Sequence, residues 1–462
     1  MPTLPRPLRP AVATLTATAV TAGLLLAAPA ANPAPAAPAA SAAADNPVTP
    51  GNFTGYGFDQ CVAPESWKMD TWMAESPFSA VGIYISGDSR GCREQPNLSP
   101  AWVSHQLANG WRLLPITLGP QAACHPGFPR YGDDETIKTR KNRNYRQARR
   151  QGRREATTAV QAAQALGIRP GSTLWYDLEG FDISKNACRE SSIRFLGAWT
   201  NRLHALDYVS GVYSSAGSGI KMLDQVRMNR PDLITLPDRV WIARWDGVAN
   251  LDACRNQPEC YVRPEGWQPH ERVKQYRGGH HETWGGVTIN IDSNYLSLGK
   301  GTRPGGRGMH CKDTYISRAK YPPLSQRRHP ARYVATAKCL LRKRGVYDGP
   351  VNGRFDEAFL AAVNAWQERT GTRIQPRFTR RNWVQALAVG KARVAKHGMS
   401  TAHVRRMQWA LTAATGEWLN HRGAFLGGTE RVVKLWQGGV GLPQTGVMNS
   451  RGWELLKAGR RR

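Results

Sequence analysis

Between about residue 55 and residue 298 the chain alternates two kinds of pattern. Short apolar runs long enough for strands recur along it: VGIYIS at 81–86, WRLLPITL at 111–118, TLWYDLE at 173–179, YVSGVYSS at 208–215, VWIARW at 240–245, VKQY at 273–276 and NIDSNYL at 290–296. Stretches with helical spacing lie between them, the clearest at 145–166 and 191–206. Strands spaced by helices over about 250 residues predict an α/β fold, either a parallel barrel of the TIM type or a doubly wound sheet.

A different pattern follows the Gly-rich, basic stretch GKGTRPGGR, which marks a boundary near 301. Two segments match at a constant offset of 70: Leu341 with Leu411, Phe355 with Phe425, Val363 with Val433, Trp366-Gln367 with Trp436-Gln437, and Trp383 with Trp453. This is an internal duplication of units of about 50 residues, placed at 336–390 and 403–459, with 302–335 read as a linker. Trp366 and Trp436 have apolar neighbours three and four positions away, so they are expected in helix cores.

Ahead of the barrel, residues 1–44 carry Arg6 and Arg9, an Ala/Leu-rich apolar run and an Ala/Pro tract, the layout of an export signal with small-residue cleavage sites near Ala30 and Ala44. The sequence up to Thr49 reads as a tether, with folding expected to start near Gly55. No other stretch approaches the length of a spanning helix, so no membrane insertion is expected after signal cleavage. Eight cysteines, an even set, fit four disulfides in an exported chain, and only Cys254 and Cys260 are paired by proximity. No CxxC pair is present, and neither metal nor organic cofactor is expected. His280-His281 falls in a Gly-rich segment read as an exposed loop.

The net charge is +29, and residues 302–462 hold 31 Lys and Arg against 8 Asp and Glu. A second cluster, 138–154, has nine basic residues and no acid. Such a field attracts polyanions. Export and paired cysteines turn that expectation away from specific nucleic-acid binding and towards the phosphate-rich polymers of a Gram-positive wall.

The sharpest chemical feature is Trp175-Tyr176-Asp177-Leu178-Glu179-Gly180. Alternation along a strand puts Trp175, Asp177 and Glu179 on one face and Leu174, Tyr176 and Leu178 on the other. In a barrel the acids would line the interior near the C-terminal end, where barrel enzymes place their chemistry. Neighbouring carboxylates keep one proton and leave a negative partner, the division of labour that glycoside hydrolysis needs. Asp59 in GYGFDQC, Asp246 in WIARWDG and Asp292 in INIDSNYL sit at comparable strand ends.

Two resemblances sharpen this reading. The first repeat, with Leu341, the Gly345-Val346-Tyr347-Asp348-Gly349 turn, Val351, Asn352, Gly353, Phe355, Ala362-Val363 and Trp366-Gln367, resembles the small three-helix peptidoglycan-binding domain; the second carries that domain's ending, GLPQTGVMNSRGWELL. The second repeat has Glu417-Trp418-Leu419 where the first has its YDG turn. Residues 55–298 resemble the glycoside-hydrolase-like domain of secreted actinobacterial proteins catalogued as domain of unknown function 1906, similar in turn to the family 25 glycoside hydrolases, muramidases on an irregular (β/α) barrel. The motifs carrying it are Gly57-Phe58-Asp59, Asp177-Leu178-Glu179, Gly211-Val212-Tyr213-Ser214-Ser215, Val240-Trp241-Ile242-Ala243, and Gln275-Tyr276 with Ile291-Asp292. The muramidases' Asp-Val-Ser-x-Trp-Gln opening is here Asp59-Gln60-Cys61-Val62-Ala63-Pro64.

The resemblance implies a barrel at 50–301 with Glu179 as general acid, Asp177 positioning a 2-acetamido group or stabilising positive charge, and Asp59 and Asp292 completing the acidic floor. Trp175, Tyr213, Trp241, Asp246 and Gln275 are the expected substrate-binding residues. The expectation is a secreted, wall-associated, monomeric glycoside hydrolase acting on peptidoglycan and held to it and to anionic wall polymers. A wall-binding or remodelling protein without turnover is the alternative.

Overall fold

The computed structural model describes residues 46–254, 260–305 and 314–462, with the backbone of 310 and 311. The expected export segment lies outside the described residues.

Eight strands form a closed barrel: β1 (Phe53–Asp59), β2 (Phe78–Ser86), β3 (Arg112–Thr117), β4 (Thr173–Asp177), β5 (Val209–Ser215), β6 (Arg239–Ala243), β7 (Glu271–Trp284) and β8 (Val287–Leu298). Neighbours in sequence are neighbours in the barrel. Strands β1 to β7 run parallel, whereas β8 is antiparallel to both β7 and β1. The fold is therefore an irregular (β/α) barrel, and the doubly wound alternative falls away. Helices α1 (Ser66–Glu75), α2 (Pro100–Asn109), α3 (Asn142–Ala165), α4 (Asn186–His204) and α5 (Lys221–Asn229) connect the parallel strands. The tight β7–β8 hairpin leaves no helix over the outer wall of β8 and β1.

Alternation along the strands fills two cores. Leu174, Tyr176 and Leu178 pack outward under the helices, while Trp175 lies inside with Phe53, Ala80, Leu114, Trp241, Val273 and Leu296. Gly211 lets the Trp175 ring lie on β5, since a Cβ there would come within 2.4 Å of the ring.

The chain is pinned earlier than the Pro/Ala-rich composition of this stretch suggests. Thr49 donates its hydroxyl to the Leu113 carbonyl at 2.8 Å, and the Asn46 amide reaches the Gly167 carbonyl at 3.0 Å. Polar side chains in this Pro/Ala-rich stretch satisfy backbone groups at the N-terminal end of the barrel, so order begins by Asn46.

Six helices follow: α6 (Ala331–Lys343), α7 (Glu357–Arg369), α8 (Arg380–Ala388), α9 (Ala402–Thr415), α10 (Gly427–Gly439) and α11 (Ser450–Lys457). They form two sets of three around one continuous apolar core that includes Trp366, Trp383, Trp436 and Trp453. The stretch read as a linker is partly built into that core, because Ile316, Tyr321 and Leu324 are buried in it.

The connector between the two sets docks on the barrel. Lys396, completely buried, donates to the carbonyls of Met73 at 2.8 Å, Ser76 at 3.1 Å and Phe78 at the start of β2. His397 bonds Glu430 at 2.7 Å and packs edge-on against Tyr56 and Tyr295 on the helix-free wall. The helical units thus cover the N-terminal end and the bare wall of the barrel.

Disulfides join Cys61 to Cys92, Cys124 to Cys188 and Cys254 to Cys260, and Cys339 is disulfide-bonded as well. Such bonds fit an extracellular compartment. Among the described residues no helix is long and apolar enough to cross a membrane.

Candidate active site

The acids meet at the end of the barrel away from the helical units. Asp59 closes β1 and lies opposite Asp292 in the β1–β8 register, while Asp177 closes β4 and Glu179 follows two residues on. A cavity of about 280 Å³ opens here, lined by Asp59, Asp292, Glu179, Tyr84, Arg90 and Arg130 among others. The Cys61–Cys92 disulfide forms part of its wall.

Gln275 organises the Asp59–Asp292 pair. Its Nε2 donates to both Asp59 oxygens at 3.3 and 3.1 Å and to Asp292 at 3.2 Å. Its Oε1 accepts from Tyr213 at 3.0 Å and from the Trp245 indole at 2.9 Å, which fixes the amide's orientation. Asn294 donates to Asp59 at 2.6 Å and accepts from the Trp241 indole at 2.7 Å. Burial, then the charge of Asp292, raises the Asp59 pKa to about 7 against these hydrogen bonds. Burial raises Asp292 to about 6, opposed by His280 and the Gly279 N–H. Near neutral pH the pair therefore tends to hold a shared proton.

Asp177 is buried beneath the cavity lining. Tyr84 donates to its Oδ2 at 3.1 Å, and Oδ1 is buried without a partner. Desolvation and then Glu179 push its pKa well up. Glu179 is half-buried; its pKa is raised by burial and drawn down by His125 and Arg130. Gln121 staples this segment, donating to the Asp177 carbonyl at 2.8 Å and accepting from the Glu179 N–H at 2.8 Å.

The remaining expected residues divide. Tyr213 and Gln275 belong to the network under the acids. Trp175 and Trp241 are 0% and 1% exposed and form the barrel filling below it, with no face open to a sugar. Asp246 is turned away: it bonds Lys274 at 2.7 Å and Arg244 at 3.2 Å, which hold its pKa low although burial opposes this. His280 is not exposed; it lies within β7, bonded to Glu282 at 3.0 Å and Ser293 at 3.2 Å, because the Gly-rich segment continues the strand instead of looping.

Several participants escaped the sequence reading, among them Asn294 on Asp59, and Tyr84, Gln121 and Trp245. Tyr84 and Gln121 reach the Asp177 segment from 93 and 56 residues away, a relation that no local pattern encodes. Trp245 is 66% exposed beside the cavity, its ring lying over Gly278, where a Cβ would come within 2.5 Å of it. Its adjacency to Asp246 was the available signal. Among the described residues no group of three or more His, Cys, Asp and Glu side chains could hold a metal ion.

Comparison with known proteins bears on this end of the chain. Residues 70–296 match the family model of the Rv2525c-like, glycoside hydrolase-like domain, a span that takes in the site residues named above except Asp59 and Cys61. No curated protein matches the chain. Among solved structures, an uncharacterised B. stearothermophilus protein is 16% identical, with a TM-score of 0.32, over 52% of this chain and 95% of its own. The Mycobacterium tuberculosis Tat-secreted protein Rv2525c in complex with L-tartrate is 15% identical, with a TM-score of 0.33, over 53% and 95%. A GH18 chitinase from Pseudoalteromonas aurantia is 12% identical, with a TM-score of 0.29, over 47% and 79%. The closed eight-stranded barrel is thus similar, over residues 70–296, to a glycoside hydrolase-like domain.

Proposed function

We propose that the chain is an exported glycoside hydrolase that cuts glycan strands of the bacterial cell wall, with its helical repeats binding peptidoglycan. The observation that carries this reading is the convergence of Glu179, Asp59 and Asp292 on one cavity, with the exposed ring of Trp245 beside it. Burial keeps the Glu179 carboxyl protonated to higher pH than usual, as a general acid requires. Glu179 gives its proton to the glycosidic oxygen as the bond to the anomeric carbon breaks. Water then adds its oxygen to that carbon and returns a proton to the carboxylate. The Asp59–Asp292 pair supplies negative charge towards the oxocarbenium-like centre. Asp177, buried beneath the lining, supports the site through Tyr84, which donates to it and itself lines the cavity.

Trp245, exposed and aromatic, offers a sugar platform that Trp175 and Trp241 do not. On the second helical unit Trp418 is 63% exposed in the turn that departs from the first repeat, and it is the corresponding candidate there. The second reading, a wall-glycan binder without turnover, is favoured by the altered opening motif, in which Cys61 is locked to Cys92 at the cavity wall.

Purified protein and a Glu179→Gln variant, incubated with isolated Gram-positive walls, separate the two. Soluble muropeptides with new reducing ends from the parent alone are the expected result. No release from either, with both still bound to the wall, would replace hydrolysis by the binding reading.

A further inference from the structure

A second cavity lies outside the barrel. It is a groove of about 560 Å³ between the two helical units, bounded by the ends of α6 and α8, the connector and the first turn of α9. Its floor is apolar, with Leu340, Leu387 and Trp409 all buried. Its rim is cationic: Lys343, Arg344, Lys391, Arg393 and Arg406 line it, and among the described residues no Asp or Glu does.

These cations are held together against their own repulsion. The Arg406 charge is disfavoured by burial and by Arg344 and Arg393, and among the described residues no carboxylate offsets it. Its guanidinium stacks on the Trp453 ring at 4.4 Å and donates to the Lys391 carbonyl, while its Nε is buried without a partner. Arg344 is desolvated as well, and its hydrogen bonds go to the Ala386 carbonyl at 2.9 and 3.3 Å. The α9 N-terminus adds the positive end of a 14-residue helix, with Thr401 as its cap. A rim of cations around an apolar floor, with no carboxylate among the described lining residues, fits a ligand that brings several negative charges with uncharged carbon between them.

We propose that this groove binds a phosphodiester polymer of the cell wall, with phosphates at the arginine and lysine rim and the intervening polyol or sugar carbons on Leu340, Leu387 and Trp409. Guanidinium forks match phosphate oxygens, and a single carboxylate would leave most of the rim charge unanswered. The inference rests on the reading of the chain as a wall protein and assigns a second wall component to a site separate from the hydrolytic cavity.

Full-length protein would be tested for binding to isolated walls before and after hydrofluoric acid extraction, which removes phosphodiester polymers and leaves peptidoglycan. The comparison is a Lys391→Glu/Arg393→Glu variant; both side chains are exposed, so the fold is kept, as an unchanged melting temperature would verify. The parent should bind unextracted walls about tenfold more tightly than extracted ones, with the difference shrinking as salt rises. The variant should bind both alike. Equal binding of the parent to both walls, retained preference in the variant, or equal competition by duplex DNA would overturn the assignment. Release of reducing ends from extracted walls is scored in the same samples and judges the hydrolytic reading separately.

Discussion

Replacing Asp59 by Asn removes a costly ionisation from the site and should therefore stabilise the fold while ending activity. Asp59 is 5% exposed and faces Asp292 across the β1–β8 pair. The rise of its pKa from 3.8 to about 7 corresponds to roughly 4 kcal/mol against the charged form. Part of that is shared, because protonating Asp292 relieves the same repulsion. The variant also weakens the charge-assisted bonds from Asn294 and Gln275, at about 1–2 kcal/mol. A net gain of about 2 kcal/mol above pH 8 remains. The sign follows from linkage: a carboxyl whose pKa is raised on folding adds stability that is complete below its unfolded value and is lost as pH rises through the folded value. The parent therefore loses this contribution between about pH 4 and pH 7, and the amide has nothing to lose. Thermal unfolding of both proteins at pH 4.5, 6 and 8 should show a gap that opens with pH to roughly 4 °C. A variant less stable than the parent at pH 8, or a gap of the same size at every pH, would refute the assigned ionisation cost.

Trp245→Ala should raise KM for soluble glycan about five- to tenfold with little change in melting temperature, since the ring is exposed; a lower melting temperature with unaltered kinetics would make it a structural residue. Lys396→Met leaves the carbonyls of Met73, Ser76 and Phe78 buried without their donor and should cost about 2–4 kcal/mol, read by urea unfolding; a neutral result would contradict the docking role of the connector. Glu430 is held at a pKa of about 2 by His397 and Lys434 although burial opposes this. Its contribution is present above the ordinary carboxylate range and lost as pH falls towards 2, so Glu430→Gln should be less stable by about 1 kcal/mol at pH 7, with the deficit closing in acid. A deficit that persists at pH 2.5 would show that packing, not charge, is lost.

The strand faces were legible because alternation is local. Trp175, Asp177 and Glu179 point inward and Leu174, Tyr176 and Leu178 outward for the reason their spacing gives. The offset of 70 between repeats likewise translates into corresponding helices, α7 with α10 and α8 with α11. What was not legible is set by contacts across long separations. Nothing around Asp246 announces that Lys274, 28 residues on, will claim it, nor that Gln121 will clamp the Asp177 backbone. Burial of Trp175 and Trp241 below the acids, while Trp245 stays open, depends on where each strand leaves the barrel, which periodicity does not fix. The Gly-rich composition around His280 read as a loop because hairpin pairing, which orders it, comes from β8.

The antiparallel last strand has a further structural consequence. Because β7 turns straight into β8, no barrel helix covers Tyr56 and Tyr295, and the connector of the helical units takes that place with His397. The helical units are thus part of the barrel's own solvation, not appendages on a flexible chain. Asn449 bonding Glu75 at 2.8 Å and Lys396 closing the α1–β2 carbonyls extend the same junction to the end of the barrel away from the acids. Deleting the chain after the barrel would expose two tyrosines and strip donors from buried carbonyls, a loss of the kind that costs several kcal/mol. Loss of wall activity in such a truncation would therefore say nothing about whether the repeats bind wall. Surface charge reversal at Lys391 and Arg393, or truncation of the exposed Trp418, leaves the junction intact and separates attachment from folding.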